Sequence, residues 1–343
     1  MTGYSIHKAD SDIEVIEHKY AVMGKAVDDT EGEEIRNCIK WDKPTWKVAP
    51  KAVICIAHGI FEHGMAYDEL ARILVSNGYV VHAIDHCGHG LSSGKRGFVH
   101  DYTTLVEDFV SFVDMVRGQY SKDLPFFIYG HSMGSMITMA ALNRCCSVAG
   151  VLISGFPADN GPGSTCLFGI RAFFFISKLP ITPLVTSVLA GIDPEGDLAP
   201  LIAECVTSDE EVRKRQAEDK RRCASTVMKN RTADELRKLR QEAVDAIPAV
   251  TTPIMFIHGA EDEIGYAAGS VKAYERVGTI PEQKGIKIYP GLRHEPINEV
   301  QPARDGVYSD ILGFFQTRLL ATGPTGRPFK PNTGGARMFK KKH

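Results

Sequence analysis

Residues 126–134 read Phe126-Phe127-Ile128-Tyr129-Gly130-His131-Ser132-Met133-Gly134, and 137–145 continue as ITMAALNRC. The first four form a short aromatic and β-branched run of the kind that fills a buried strand. The later run repeats apolar side chains at helical spacing. Between them lies Gly-x-Ser-x-Gly, so the chain passes from strand to helix through a sharp turn with a serine at its apex. A turn of this type strains the serine backbone, lifts the hydroxyl above the sheet, and needs glycine where strand and helix come close. Ser132 is therefore the candidate nucleophile, and a sheet covered by helices is the setting it requires.

The same rhythm runs outward from this point. Ala52–Ala57 (AVICIA), Val80–Ile84 (VVHAI), Val151–Ile153, Ile254–Ile257 (IMFI) and Ile286–Tyr289 (IKIY) are bounded by Gly, Pro or Asp and separated by longer amphipathic segments. With Phe126–Tyr129 they predict buried, mostly parallel strands with helices on both faces, an α/β class. Segments 12–22 and 34–41 are expected as antiparallel edge strands, which brings the sheet to eight. Between Pro157 and about Val250 the strand rhythm stops. An apolar stretch, CLFGIRAFFFISKLPITPLVTSVLAG, gives way to a charged one, SDEEVRKRQAEDKRR, which reads as a solvated helix face. The expected organisation is a core of residues 1–156 and 251–321, an inserted helical cap or lid over 157–250, and a disordered basic tail over 322–343, whose Gly, Pro and Lys content leaves too little apolar surface to fold.

Bulk composition narrows the partners. Forty Lys plus Arg against 42 Asp plus Glu give a formal charge of −2 over 343 residues, which argues against a nucleic-acid surface and for a small neutral or amphiphilic substrate. No basic, apolar and small-residue leader pattern opens the chain, so a cytoplasmic location is the expectation. Eight cysteines without any Cys-x-x-Cys read as reduced thiols. No unbroken apolar run reaches the roughly 18 residues that span a bilayer. Nothing in the sequence sets the oligomeric state.

A serine hydroxyl needs a base within hydrogen-bond reach and an acid that orients the base. With the order Ser, then Asp or Glu, then His, only His294 and the terminal His343 lie beyond the later strands, and His294 sits in a turn directly after IKIY. For the acid, the loop after IMFI carries Glu261, Asp262 and Glu263; position favours Asp262, with its two neighbours as alternatives. Acyl transfer also needs donors for the developing oxyanion. The amide after the nucleophile is Met133, and the second is expected from His58-Gly59-Ile60-Phe61-Glu62-His63, with Ile60 preferred. His82, His86 and His89 cluster with Asp85, yet His82 lies in a strand, and no metal is expected.

Taken together, HGIFEH (58–63), DHCGHGLSSGKRG (85–97), GHSMG (130–134), PIMFIHGAED (253–262) and YPGLRHE (289–295) resemble the monoacylglycerol lipase and lysophospholipase branch of the α/β-hydrolases. The likeness spans about residues 11–320. It implies the α/β-hydrolase fold, the triad Ser132, Asp262 and His294, oxyanion amides at Ile60 and Met133, a lipid-binding cap, and no metal or organic cofactor. Phe61 and Glu62, with Phe168, Phe174 and Leu184 of the cap, are the expected substrate-binding residues. Two departures stand out: Ser135 replaces a glycine usual after the elbow, and the cap is longer and more charged.

The expected function is cleavage of lipid-type carboxylic esters, foremost monoacylglycerol to glycerol and fatty acid, through an acyl-enzyme. Alternatives are a lysophospholipase, a general carboxylesterase or thioesterase, a proline-directed aminopeptidase, a cofactor-free peroxidase, and, from another class, an inactive hydrolase-fold binding protein. Dehalogenases and epoxide hydrolases require a carboxylate where Ser132 stands. A peripheral membrane contact through the cap or the basic tail completes the expectations.

Overall fold

In the computed structural model, residues 12–21, 34–44, 49–158 and 182–322 are described. Eight strands form one sheet: β1 (Glu14–Ala21), β2 (Ile35–Asp42), β3 (Ala52–Ala57), β4 (Tyr79–Ile84), β5 (Phe126–His131), β6 (Gly150–Ser154), and, after an insertion that contributes β7 and β8, β9 (Ile254–Gly259) and β10 (Lys284–Tyr289). Their order is β1-β2-β4-β3-β5-β6-β9-β10. The β1–β2 and β2–β4 pairs are antiparallel and the rest parallel, as expected for edge strands joined to a parallel core.

Alternation along the strands divides the core into two layers. Val53, Cys55 and Ala57 of β3 face one side, with Phe109 and Phe112 of α2 (Tyr102–Arg117) and Ile137 of α3 (Met133–Ala141). Ala52, Ile54 and Ile56 face the other, with Leu70 and Leu74 of α1 (Asp68–Ser76) and with Ile311 and Phe315 of the C-terminal helix Ala303–Thr322. Central strands buried on both faces explain why they read as continuous apolar runs rather than as alternating ones.

This topology gathers the chemistry at one edge. Ala57 pairs with Gly130, Ser154 pairs with both His131 and Ile257, and Gly259 pairs with Tyr289. The loops leaving β3, β5, β9 and β10 therefore start side by side, at the carboxyl ends of the strands where α/β sheets bind ligands. The buried Asp85 carboxylate knits this edge together, accepting hydrogen bonds from Asn37 Nδ2 (2.9 Å), the Gly64 amide (2.7 Å) and the Leu91 amide (2.8 Å).

Between β6 and β9 the chain leaves the sheet. Its described part holds α4 (Thr182–Ile192), α5 (Ala203–Val206), α6 (Glu210–Glu218) and α7 (Asn230–Ala246), and also a two-stranded antiparallel pair, β7 (Asp197–Pro200) with β8 (Val227–Lys229). The region is thus mixed rather than helical throughout. Helix α6 is capped by Asp209, whose side chain accepts from the Val212 amide, and its surface is charged as expected. Arg222, just beyond it, turns inward instead. Cys205 is disulfide-bonded, a correction to the all-reduced expectation, while Cys38, Cys55, Cys87, Cys145, Cys146 and Cys223 are free thiols. Phe168 and Phe174 lie outside the described residues, as does the tail beyond Thr322; Leu184 belongs to α4, but its side chain is outside the described ones.

Candidate active site

Strand β5 delivers Ser132 at φ 50°, ψ −119°, a left-handed conformation rare for a residue with a side chain. The glycines on either side leave no room for anything larger. A Cβ at Gly134 would stand 2.1 Å from the Ala57 carbonyl oxygen, and one at Gly130 would stand 2.5 Å from Thr138 Oγ1. The Ser132 amide donates to the Ser154 carbonyl (3.0 Å), which ties the apex to β6. Ser135 Oγ donates to the Ser132 carbonyl (2.5 Å), so the hydroxyl that replaces the usual glycine braces the turn from within the helix.

Ser132 Oγ lies 2.8 Å from His294 Nε2, and His294 Nδ1 lies 2.7 Å from Asp262 Oδ2. With Nδ1–H donating to the carboxylate, Nε2 holds a lone pair facing the hydroxyl, the tautomer a general base requires. All three side chains are buried. Of the three carboxylates on the loop after β9, Asp262 alone reaches the histidine. Its Oδ1 accepts from the amides of Ile264 (2.8 Å) and Gly265 (2.9 Å), and His258 Nε2 also faces its Oδ2 (2.8 Å). His258 Nε2 also lies 2.6 Å from the Gly265 carbonyl; facing two acceptors, it carries the ring proton and donates between them, while Nδ1 meets the Ser270 hydroxyl (2.7 Å). Burial would raise the Asp262 pKa, but the two histidines and these donors hold it well below the carboxylate range. At His294 burial acts to lower the pKa, and the Asp262 charge and hydrogen bond outweigh it, leaving it above 6.5.

Among the described residues, neither the Ile60 nor the Met133 amide donates to a backbone acceptor in the turns and loops. Phe61 takes φ 63°, and its ring is packed against Gly97. Glu62 is buried; its Oε2 accepts from the Gly59 amide and from Tyr67 Oη, both at 2.8 Å. Its other oxygen meets Arg222 Nη2 at 3.3 Å, and the same nitrogen lies 3.5 Å from Glu295 Oε1. Among the described residues, Glu62, His131 and Glu295 are the group with metal-ligand spacing, each offering one atom within 4.8 Å of the others. Arg222 already supplies one cation to the two carboxylates of this cluster.

The insertion is fastened to the catalytic-histidine loop rather than merely laid over it. The Glu295 amide donates to the Val206 carbonyl (2.9 Å), Thr207 Oγ1 to the Asn298 carbonyl (2.8 Å), and the Ser208 amide to Glu299 (3.0 Å). His258, Glu295 and Arg222 were missed as site residues in the sequence reading. His258 and Glu295 stand inside the quoted motifs, but Arg222 is one charge among many in a run that averages to a solvated face.

The chain is similar to known hydrolases in sequence and in fold. The family model described as serine aminopeptidase, S33 matches residues 48–301. The chain is 30% identical over 281 residues to monoacylglycerol lipase of Mycolicibacterium smegmatis, covering 82% of this chain and 94% of that protein. It is 30% identical over 300 residues to monoglyceride lipase of Homo sapiens, covering 85% and 90%. A soluble variant of monoglyceride lipase from Saccharomyces cerevisiae, solved with a substrate analog, superposes with a TM-score of 0.69 at 20% identity over 87% of this chain and 98% of that one. At that identity the superposition speaks to the fold alone.

Proposed function

The chain belongs to the serine aminopeptidase S33 family of α/β-hydrolases, and on that premise we propose that it is a serine ester hydrolase whose substrate is a monoacylglycerol. The carrying observation is the unbroken relay from Ser132 Oγ through His294 to Asp262. In this reading Ser132 attacks the ester carbonyl while His294 takes its proton. The oxyanion is met by the Ile60 and Met133 amides, and His294 then protonates the departing glycerol alkoxide. Water repeats the sequence on the acyl-enzyme and frees the fatty acid. Asp262 keeps the imidazole in the required tautomer and stabilises its charged form.

Residues 157–250 act in this proposal as a cap over the acyl chain. Val188 and Ile192 of α4 are exposed apolar side chains that suit a peripheral contact with a lipid surface, and no helix among the described residues is long and apolar enough to cross a membrane.

The test is hydrolysis of 1- and 2-acylglycerols, lysophospholipids and short nitrophenyl esters by the wild type and Ser132→Ala, with the lipids offered both dispersed and in vesicles. Monoacylglycerols should be cleaved best, and the variant should lose at least about 10^4-fold in kcat while staying folded. Undiminished ester cleavage by Ser132→Ala would refute the mechanism. Preference for lysophospholipids would move the substrate class, and equal rates on the two lipid presentations would remove the membrane contact.

A further inference from the structure

Two buried carboxylates stand against each other behind the serine, and the relay just described uses neither. Glu62 leaves from the loop that carries the Ile60 amide; Glu295 follows His294 directly. Their Oε2 atoms are fully engaged with neutral donors, Gly59 N–H and Tyr67 O–H on Glu62, and Gln216 Nε2 (2.8 Å) and Asn298 Nδ2 (2.7 Å) on Glu295. Each Oε1 faces the single guanidinium of Arg222, and the two carboxyl groups bring one oxygen each within 4.8 Å of the other. Two ionised carboxylates and one guanidinium would bury a net negative charge, whereas one proton between the Oε1 atoms makes the cluster neutral and adds a short hydrogen bond.

The cluster lies close enough to the reacting groups for that charge to matter. A Cβ placed on Gly59 would touch both Glu62 Oε2, at 3.0 Å, and Ser132 Cβ, at 3.3 Å. The negative charge that forms at the amides of Ile60 and Met133 would therefore develop within a residue or two of an ionised Glu62.

We propose that Glu62 and Glu295 share a single proton and, with Arg222, act as positioning residues that fix the Ile60 amide relative to His294. The inference rests on the ester-hydrolase reading above. The pair joins the oxyanion loop to the loop carrying the base, and Arg222 joins both to the insertion. When the proton is lost, an uncompensated charge repels the oxyanion and acyl transfer slows.

The surroundings favour one proton on the Glu62 side. Burial and the neighbouring Glu295 push the Glu62 pKa well up. Burial also acts to raise Glu295, but the hydrogen bond from Glu62 and the Arg222 charge bring it down to about 2. The other titratable groups facing the pair are Tyr67 and Tyr129, both pushed up by burial, His131 from β5, held neutral by burial with a pKa near 3, and His294, where burial is outweighed by Asp262 and, to a lesser degree, by Glu295, which raise it above 6.5. The tyrosines and His131 keep their charge between pH 5 and 9 and His294 gives the acid limb, so a fall in kcat above that limb reports loss of the shared proton.

Glu62→Gln separates this role from a merely structural one, because its carbonyl accepts as Oε2 does and its amide donates to Glu295 without a titratable proton. On a short nitrophenyl ester, Glu62→Ala should lower kcat on the order of 100-fold with KM little changed, since a misplaced oxyanion donor acts in the transition state. Glu62→Gln should recover at least tenfold of that loss at pH 7 and should lack the alkaline fall in kcat expected of the wild type. Superimposable pH profiles for wild type and Glu62→Gln overturn the shared proton. A loss expressed in KM alone overturns the positioning role in favour of direct substrate contact. Circular dichroism on each variant separates misfolding from either outcome, and Glu62→Gln carries the test should Glu62→Ala fail to fold. Because the nitrophenyl ester reports acyl transfer from any acid, a failure of the monoacylglycerol assignment leaves these outcomes readable.

Discussion

At the scale of single residues, the site is organised around where protons sit. His294 acts as a base only while neutral, so activity falls as pH drops through its pKa. The adjacent Asp262 charge raises that pKa above 6.5 against the opposing pull of burial, so the acid limb of kcat/KM should have its midpoint above 6.5. Asp262→Asn removes the charge and permits the wrong tautomer. Its rate should drop on the order of 10^4-fold, and its acid limb should move to lower pH. A limb that stays in place would mean that some other group titrates there. The second donor, His258, changes how such a variant is read: Asp262 is held by two imidazoles and two amides, so its orientation does not depend on His294 alone. Ser132, His294 and Asp262 were legible because each follows a strand whose apolar run fixes its position. Arg222 was not, because the feature that makes it special is a pair of carboxylates 160 and 73 residues away.

Among elements, the decisive contact is that of α3 with β3 beneath the elbow. Gly134 lets the helix backbone rest directly on the Ala57 carbonyl, and a methyl group there meets backbone rather than a side chain that could rotate away. Gly134→Ala should therefore lower the thermal midpoint by the equivalent of about 3 kcal/mol or more and leave little soluble protein, an overpacking effect with no room to relax. Ser132→Ala, by contrast, should unfold near the wild-type midpoint, since it keeps the same backbone conformation and removes only the hydroxyl without filling space. Equal midpoints for Gly134→Ala and wild type would show that the helix can shift. The elements themselves were readable to differing degrees, for a physical reason. Strands buried on both faces impose continuous apolar runs that any window detects, as in β3, β4, β5 and β6, whereas the outer strands β1, β2 and β10 are partly exposed and mix polar with apolar residues. The β7–β8 pair has four and three residues and ends at Pro200; over so short a span neither alternation nor β-branched enrichment can rise above the flanking polar sequence.

Across the whole molecule, the same burial that tunes the site makes the fold sensitive to acid. Five histidines, His58, His82, His86, His89 and His131, are buried and held neutral chiefly by loss of solvation, with pKa values of about 3 for His82, His86 and His131, about 4 for His89, and well below 6.5 for His58. In the unfolded chain each would bind a proton near pH 6.5. Between that value and pH 3 to 4 the unfolded state therefore holds more protons than the folded one. Stability, complete above 6.5, should fall as pH falls, by about 1.4 kcal/mol per group for each unit. At pH 5.5 the five together would remove about 7 kcal/mol, partly offset by His294, whose raised pKa acts in the opposite direction. That is comparable with the whole stability of a typical domain, about 5–15 kcal/mol, so cooperative acid unfolding is expected near pH 5, well before the carboxylates titrate. Urea midpoints by circular dichroism at pH 7.5, 6.5, 5.5 and 5.0 measure it directly. A curve flat down to pH 5 would mean that these imidazoles find protons without unfolding. The participation of individual groups is testable at His82, whose Nε2 meets Tyr120 Oη at 2.8 Å in β4, far in sequence from the relay. His82→Gln keeps a polar partner for that hydroxyl but removes one titration, so the pH dependence of its stability should be shallower than wild type by about one proton, with ester hydrolysis at pH 7.5 retained.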